Sequence, residues 1–535
     1  MSTDPAAERP SDYLDDERLL HRLGYAQELF RSMGGFQNFA ISFTIISILA
    51  GCLTSYFIAF NNGGPIAVTW GWLLVGGFCI IVALAMAEIA STYPTAGGLY
   101  YWASRLGSPA WGWFTGWFNL LGQIAVTAAI GYGCAIFMTS LLNLVTNGGY
   151  PNTVRWIFFT YSLILAGAGL INMMKVPITA MLNTVSAWWH MVGVLTIVGV
   201  LIIVPDNHQS VGYVFGETIN NSGFSGQNFS SIVFWFVFGI GLLMAQYTIT
   251  GYDASAHMSE ETRQASRAAA WGIVMSVVVS VIFGFILLVA VTFAVPDTQG
   301  TLDAVANAVT YIWLTSMSEG WAEFLLFIAV VAQTFCTIAS VTSASRMNFA
   351  FSRDRAVPGH QLWRKVSKRE RIPMYSVWFI VVLSWALMLP TLSNAAVGYL
   401  VGTSIAVIGL YIAFALPILL RLRRGDDFEH GAWSLGRHYK WVDVLALLWI
   451  ALICILFLMP TVPGGIPWND AFDWNVVNYA PLTVGGALLF FGGWWLISAK
   501  RWFTGPVVQG TEEELERIER EYEPGGTATT ASPAS

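Results

Sequence analysis

Long apolar stretches run along most of the chain, and the short segments between them hold most of the charges. A helix needs about 20 apolar residues to cross the hydrocarbon core of a bilayer. On this pattern we predict twelve spans, at residues 36–60, 65–90, 110–144, 154–173, 178–204, 231–257, 268–295, 321–351, 373–392, 396–422, 442–459 and 481–498. The third and eighth are long, so we expect them to tilt or to project beyond the membrane.

The amino-acid composition also indicates a membrane protein. Hydrophobic residues make up 55% of the 535 residues and charged residues only 11%, whereas a soluble domain carries about 25% charged residues. We therefore predict an all-α polytopic membrane protein whose surroundings are the lipid bilayer. The net charge of −6 comes largely from the two ends of the chain, so it gives no sign of a nucleic-acid partner.

The basic residues indicate the orientation. With both ends of the chain inside, every Lys and Arg except Arg155 falls in a tail, an inner loop or the inner end of a span, as the positive-inside rule requires. We predict a cytoplasmic N-terminal tail at 1–33, a membrane domain at 34–501 and a cytoplasmic C-terminal tail at 502–535. The first tail lacks the apolar core of a secretory signal, so the first span is expected to be retained. The second tail is expected to be a solvated appendage, with an acidic helix at 511–522 followed by disorder.

The sequence shows no motif that indicates a metal site, an enzyme or an ion channel. All five cysteines lie within apolar stretches and without metal-ligand spacing, so we expect no metal, no cofactor and no disulfide framework. A nucleophile elbow or a phosphate-binding loop, which would indicate an enzyme, is not visible. Repeated carbonyl motifs or charge rings, which would indicate an ion channel, are not visible either.

Two spans differ from the rest because small and polar residues crowd their centres. The first is rich in Ser, Thr and Gly around Gly51, and the sixth carries Gln246, Thr248, Thr250 and Gly251 at a similar depth. In one span alone, such residues would equally indicate close helix contacts. Their occurrence at corresponding places in two halves of the chain favours a pair of discontinuous helices, broken at 50–52 and 248–251.

The physical chemistry of a broken helix suggests a ligand. A break at mid-membrane frees N–H groups on one half and carbonyl groups on the other. Freed N–H groups at a helix N-terminus suit a carboxylate, and freed carbonyl groups suit an ammonium group. An amino acid presents both charges, so two broken helices form a natural site for a zwitterion. No Lys or Arg lies at mid-depth in a span to neutralise a second carboxylate, and we do not expect dicarboxylic acids as substrates.

Four motifs together resemble one family of transporters. They are GGFQNF at 34–39, AEIASTYPTAGGLYYW at 87–102, GYDASAH at 251–257 followed by EET, and SRDRAVP at 352–358. The chain resembles the amino acid–polyamine–organocation superfamily, and within it the amino acid/choline transporter branch. The resemblance covers about residues 24–501. It implies a leucine-transporter-like fold, in which spans one to five and six to ten form inverted repeats and the last two spans are peripheral.

The resemblance also implies a binding site. In the first span, the N–H groups of Gly51 and Cys52 would hold the substrate carboxylate, and the carbonyl of Ile48 would face the amine. In the sixth, the carbonyls of Tyr247 and Thr250 would accept hydrogen bonds from the amine, and the Tyr247 ring would cover the substrate. Many relatives have Gly-Ser-Gly where this chain has Ala-Gly-Cys, which alters the expected carboxylate nest. The predicted substrate-binding residues are Ile48, Ala50, Gly51, Cys52, Gln246, Tyr247, Thr250 and Gly251.

Ionisable residues inside a membrane are costly and usually functional. Asp253 and His257 are four residues apart on one helix face, where they are either coupling residues or structural partners of a gate. His190 lies midway along span five, where by the resemblance several proton-coupled relatives carry a lysine, and histidine titrates near neutral pH. The alternative interpretation of His190 is a hydrogen-bonded histidine of the core. Glu88, at the inner end of span two, is a further gating candidate, although its position favours interfacial solvation.

Taken together, these expectations predict a function for the protein. We predict secondary-active transport of an amino acid by alternating access, with γ-aminobutyrate or a neutral amino acid as substrate and protons as the coupling ion. Sodium is less favoured because a charged His190 would repel it. The alternatives are an amino-acid exchanger and a transporter of choline or another organic cation, for which the aromatic residues of span six would form part of a cage. We expect the protein in the plasma or inner membrane, and the sequence leaves the oligomeric state open.

Overall fold

The computed structural model describes residues 11–174, 176–368 and 370–522. Within these ranges, eleven helices are long and apolar enough to cross a membrane, and a shorter apolar stretch covers Ile232–Thr248. The predicted all-α polytopic fold is confirmed, and the twelve predicted spans correspond to these eleven and the shorter stretch. The predicted disorder after residue 522 lies outside the described residues, as do Arg9, Lys175 and Arg369 of the positive-inside pattern.

The helices follow one another with few strands between them. In chain order they are α1 (Ser11–Arg22), α2 (Gly35–Ile46), α3 (Ile48–Thr54), α4 (Tyr56–Asn61), α5 (Pro65–Thr92), α6 (Leu99–Leu106), α7 (Pro109–Val145), α8 (Val154–Ile171), α9 (Val176–Ile203), α10 (Val211–Gly216), α11 (Ile232–Gly241), α12 (Leu243–Thr248), α13 (Ala254–His257), α14 (Ala265–Phe293), α15 (Thr298–Asp303), α16 (Ala308–Ser316), α17 (Glu319–Arg353), α18 (His360–Trp363), α19 (Met374–Leu387), α20 (Ala395–Arg424), α21 (Tyr439–Leu458), α22 (Ala480–Ile497) and α23 (Glu512–Arg520). The strands are β1 (Asn62–Gly63) and β2 (Ile219–Asn220).

The first span consists of α2, α3 and α4, and the sixth of α11, α12 and α13. The observed span ends differ little from the predicted ones. The largest difference is at α19, which ends five residues before the predicted end of its span. Next come the starts of α14 and α21, each of which begins three residues before the predicted position. Both helices open with a polar or basic first turn, which a search for apolar residues leaves out.

Burial separates the central from the outer spans. In the most apolar window of α7, 89% of residues are buried, whereas in that of α22 only 11% are buried. The helix α7 packs against α17 and α20, and α5 packs against α14, so that these helices surround the two interrupted spans. The outer position of α22 agrees with the predicted peripheral place of the last span.

Both tails pack against the same end of the bundle, which we call the tail face (residues 15–33, 95–108, 258–267, 352–368, 370–372 and 500–522). Tyr25, Leu29 and Met33 of the N-terminal tail are buried there, and so is Leu515 of α23. The two tails also contact each other, since the Gln509 N–H donates to the Gly24 carbonyl at 2.9 Å. The expected solvated appendage is therefore wrong for residues 502–522, because the sequence shows the charges of the tail but not the surface that receives it.

Short backbone pairings connect the two interrupted spans at their ends. At the far face, opposite the tail face, β1 pairs with β2 in the antiparallel sense, with Asn62 opposite Asn220. At the tail face, Met33 and Thr262 form a parallel bridge, in which the Met33 N–H donates to the Glu261 carbonyl at 2.9 Å. The segments that flank spans one and six are thus joined on both sides of the membrane domain.

Candidate functional site

The first interrupted span breaks at Ser47, which has a left-handed conformation with φ 32° between α2 and α3. The Ser47 side chain accepts a hydrogen bond from the Ala50 N–H at 3.2 Å, and its carbonyl accepts from the Gly51 N–H at 2.8 Å. The break is therefore one helical turn before the predicted position at 50–52, where the backbone is helical. The N–H of Gly51 serves the helix, and the free donors at the start of α3 are those of Ile48 and Leu49.

The break in the sixth span lies at its predicted position. The helix α12 ends at Thr248, and α13 begins only at Ala254. Between them, Gly251 has φ +104°, and a Cβ there would lie 2.3 Å from Ile45 Cγ2, so both the conformation and the space require glycine. With α12 ended at Thr248, the carbonyls of Tyr247 and Thr248 lie beyond its i to i+4 ladder.

The start of α3 and the end of α12 lie side by side. A Cβ on Gly51 would be only 2.4 Å from Thr248 Oγ1, so the missing side chain lets the two half-helices touch. The N-terminus of α3 carries a partial positive charge and the C-terminus of α12 a partial negative one. The arrangement places free N–H groups and free carbonyl groups next to each other in the centre of the protein.

Side chains from later spans line this centre, and the sequence contains little sign of them. Gln333 Nε2 on α17 donates to the Leu49 carbonyl at 3.2 Å, and the Cys336 thiol donates to the Ile45 carbonyl at 3.2 Å. From α20, the Tyr399 hydroxyl bonds Thr54 at 2.9 Å, and its ring meets that of Tyr247 edge-on at 6.4 Å. The Gln within an apolar span is the signal that could have indicated them.

Gln246, predicted to bind substrate, is turned away from the centre. Its Oε1 accepts from Trp449 Nε1 at 3.0 Å, and its amide nitrogen lies 3.5 Å from the Cys79 sulfur. Both partners lie on helices outside the interrupted pair, α21 and α5. The Gln246 side chain therefore anchors α12 to those helices in this conformation, and its role in substrate binding stays a prediction.

His190 is fully buried and contacts the break of the first span. Its Nε2 lies 2.7 Å from Ser47 Oγ, and its Nδ1 lies 2.8 Å from the Ser186 carbonyl. Since a carbonyl can only accept, Nδ1 carries a proton. In the neutral ring, Nε2 then accepts from the Ser47 hydroxyl, and in the charged ring it donates to that hydroxyl.

Asp253 and His257 form a buried pair, as their predicted common face allows. The Asp253 Oδ2 lies 3.3 Å from His257 Nε2 and accepts from Gln123 Nε2 at 2.7 Å. On the other side, His257 Nδ1 lies 2.9 Å from the Ala96 carbonyl. The pair thus joins α13 to α7 and to the turn before α6.

Glu88 is not solvated at the interface, contrary to its favoured interpretation. Its side chain is fully buried, with Oε2 2.8 Å from Arg421 Nε. Its Oε1 accepts from the Leu435 N–H and from Ser434 Oγ, each at 3.0 Å. Both carboxylate oxygens of Glu88 are thus bonded by residues of α20 and the following loop. The side chain anchors the bundle, and these contacts give no support for its predicted role in gating.

Two buried ion pairs close the tail face next to the end of span six. Glu260 binds Arg353 in a two-pronged contact of 2.8 and 3.0 Å, and Glu261 binds Arg346 at 2.7 Å. The Arg353 guanidinium also lies over the Tyr25 ring, 3.7 Å from its centroid. Through these contacts, the end of span six, the end of span eight and the N-terminal tail meet.

A polytopic helical bundle with opposed helix ends at its centre defines a membrane transporter. The family described as amino acid permease matches residues 33–488. The chain belongs to this family, which confirms the resemblance to the amino acid–polyamine–organocation superfamily.

Several relatives cover nearly the whole chain. The amino-acid permease BAT1 of Arabidopsis thaliana is 37% identical over 506 residues, which are 91% of this chain and 95% of the relative. The BAT1 homolog of Oryza sativa is 38% identical over 508 residues, with the same coverage of 91% and 95%. The GABA-specific permease of Saccharomyces cerevisiae is 27% identical over 521 residues, 94% of this chain and 87% of the relative.

Proposed function

We propose that the protein is a secondary-active transporter, and not an enzyme, that moves a zwitterionic amino acid by alternating access. The observation that carries this proposal is the contact between the start of α3 and the end of α12 at Gly51 and Thr248. The N–H groups of Ile48 and Leu49 hold the carboxylate, and the carbonyls of Tyr247 and Thr248 accept from the ammonium group. The names of the relatives, amino-acid permease and GABA-specific permease, support γ-aminobutyrate or a neutral amino acid.

The tail face is the cytoplasmic face in this proposal, and the protein lies in the plasma or inner membrane. The distribution of Lys and Arg supports this orientation. The buried ion pairs of Glu260 and Glu261 then close the cytoplasmic side, and transport requires that they separate.

Protons drive uptake through His190 in this proposal. Protonation turns Nε2 from an acceptor into a donor toward Ser47, the residue at which span one breaks. The Ser47 hydroxyl proton must then find another acceptor, so the charge state of His190 is coupled to the conformation of the break. A charged His190 also disfavours a sodium ion nearby, because like charges repel strongly where water is excluded.

The substitution His190→Gln tests this proposal in proteoliposomes. We expect the variant to lose accumulation of substrate driven by a pH gradient, while exchange of substrate across the membrane continues. His208→Gln is the matched control, since His208 bonds only a backbone carbonyl, that of Leu201, among the described residues. Accumulation by His190→Gln, or wild-type uptake that requires sodium and ignores pH, would overturn the proton mechanism.

The same proteoliposomes identify the substrate. Uptake of γ-aminobutyrate, neutral amino acids, polyamines and choline is compared with and without a pH gradient. Transport of choline but of no amino acid would establish the organic-cation alternative. Strict one-for-one exchange, without net uptake, would establish the exchanger.

A further inference from the structure

A cavity of about 610 Å³ opens at the edge of the tail face, between the start of span one and the start of span seven. Its upper part is polar and consists of Arg263, Gln264 and Arg267 with the backbone of Gly34 and Gly35. Its lower part is apolar, formed by Phe39, Trp271, Met275 and Val279. The GGFQNF motif at 34–39 thus forms one wall, a role separate from the central site.

The two arginines of this cavity have no acidic partner in the part of the chain that the structure describes. Within the described residues, neither Arg263 nor Arg267 makes an ion pair, and both side chains are exposed. They lie at the N-terminal end of the 29-residue helix α14, where the helix dipole favours negative charge rather than positive. Asp16 already caps this helix by accepting from the Gln264 and Ala265 N–H groups, so the arginines remain available to an anion from outside the chain.

The apolar wall continues onto the membrane-facing surface. Trp271 is 48% exposed and Phe36, next to the cavity, is 45% exposed, and both belong to helices that span the bilayer. Glycine at 34, 35 and 272 adds no side chain to the cavity. A ligand here meets cations at the level of the headgroups and an apolar slot one or two turns deeper.

We propose that this cavity binds an anionic glycerophospholipid, with the phosphate on Arg263 and Arg267 and an acyl chain along Phe39, Trp271 and Met275. A soluble phosphate would use only the upper half and leave the apolar slot without a partner. A neutral lipid would leave the two guanidinium groups without one. Because the lipid contacts both α2 and α14, it joins the first half of span one to span seven.

Lipid retention measured by native mass spectrometry tests the site. The full chain is released from nanodiscs that contain equal amounts of phosphatidylglycerol and phosphatidylcholine. We expect one retained phosphatidylglycerol, and about 25-fold weaker retention by the double variant Arg263→Gln/Arg267→Gln, since each basic residue near the membrane surface contributes about fivefold in affinity for anionic lipid. Trp271→Ala is expected to weaken retention as well.

A matched control removes two charges at an equivalent place. Arg437 and Lys440 flank the start of α21 as Arg263 and Arg267 flank that of α14, and they do not line this cavity. Arg437→Gln/Lys440→Gln is expected to retain the lipid within about twofold of the wild type. Equal losses in both double variants, or equal retention of phosphatidylcholine by the wild type, would overturn the proposal.

A soluble competitor tests whether the phosphate headgroup binds without the acyl chains. Glycerol phosphate, which lacks acyl chains, is expected to bind far more weakly than the lipid and to be indifferent to Trp271→Ala. If it displaces the lipid at similar concentration, the site is a soluble-phosphate site and the lipid assignment is wrong. Equal thermal midpoints of all variants in phosphatidylcholine nanodiscs show that folding is unaffected.

Discussion

At Gly51, the distance between two half-helices depends on a missing methyl group. We expect Gly51→Ala to push α3 away from Thr248, because the added Cβ would lie 2.4 Å from Oγ1. Overpacking of this kind costs about 1–3 kcal/mol, and transport should fall more steeply than stability because the displaced N–H groups lose their alignment. Thermal unfolding and uptake are measured together.

A glycine elsewhere in the membrane domain serves as the control. A Cβ on Gly77 in α5 would meet nothing within 4 Å, so Gly77→Ala should leave both measurements nearly unchanged. The second-site change Thr248→Gly should restore part of the uptake of Gly51→Ala, since it removes the atoms that clash. Full activity of Gly51→Ala alone would show that the half-helices need not touch.

Individual residues show which features of the site could be predicted from the sequence and which could not. Gly251 was identifiable because a glycine among polar residues at mid-span typically marks a break in the helix. Ser47 was not, because the polar run of the first span offers several residues that can cap a helix, and only the fold decides which one adopts φ 32°. Glu88 looked interfacial because its partner Arg421 comes 333 residues later, a distance at which a single sequence gives no pairing signal.

At the scale of elements, the tails are held to the bundle by buried carboxyl groups. Asp354, directly after α17, accepts from the Tyr25 hydroxyl at 2.7 Å, the Tyr100 hydroxyl at 2.8 Å and the Val507 N–H at 2.9 Å. Burial raises the pKa of Asp354 from 3.8 to about 6. Burial also raises the pKa of Glu28, which accepts from Gln509 Nε2 at 2.6 Å.

These shifts predict that the tails dock more tightly as the pH falls. A carboxyl group whose pKa is higher when docked than when free binds more protons in the docked form, so acidification favours docking. For Asp354, the buried charge opposes docking at pH 7, and this cost decreases as the pH falls through about 6. His21 acts in the same direction, since its hydrogen bond to Glu519 raises its pKa.

Hydrogen exchange of the backbone at 507–509 measures this docking. Protection should increase between pH 7.5 and pH 6, after correction for the intrinsic exchange rate. Asp354→Asn, which removes the titrating group and keeps its size, should show a smaller change over the same range. Greater protection at the higher pH would contradict the assignment.

The sequence predicted the positions of the helices better than it predicted the contacts between them. The apolar runs predicted every span end within five residues, because burial in lipid and burial in protein both select apolar residues. The sequence also predicted the acidic helix α23, which begins at Glu512. Its docking onto residues 21–28 was missed, since His21 and Glu519 meet across 498 positions of the chain.

At the scale of the whole molecule, the tail face is closed by ion pairs between the ends of spans six and eight. We expect Glu260→Gln to favour opening of this face, because it leaves the Arg353 guanidinium buried without its counterion until water reaches it. Removing one partner of a buried pair costs about 3–5 kcal/mol in the closed form. The natural thiol of Cys336, buried beside the Ile45 carbonyl, reports the opening.

The measurement is the rate of alkylation of Cys336 in a variant without the other four cysteines. It should rise severalfold in Glu260→Gln, and excess substrate should slow it. Glu217→Gln, at the far face and outside any ion pair among the described residues, is the control. An unchanged rate in Glu260→Gln would show that the pair is structural and does not govern opening.

The backbone pairings at the two ends of the interrupted spans have a mechanical consequence. Asn62 with Asn220 on one side and Met33 with Thr262 on the other fasten the flanks of spans one and six to each other. While these hydrogen bonds last, neither span slides along its neighbour, and a force on one is transmitted to the other. In the proposed alternating-access cycle, the two spans therefore move as one unit about the non-helical backbone between the half-helices, next to the proposed substrate site.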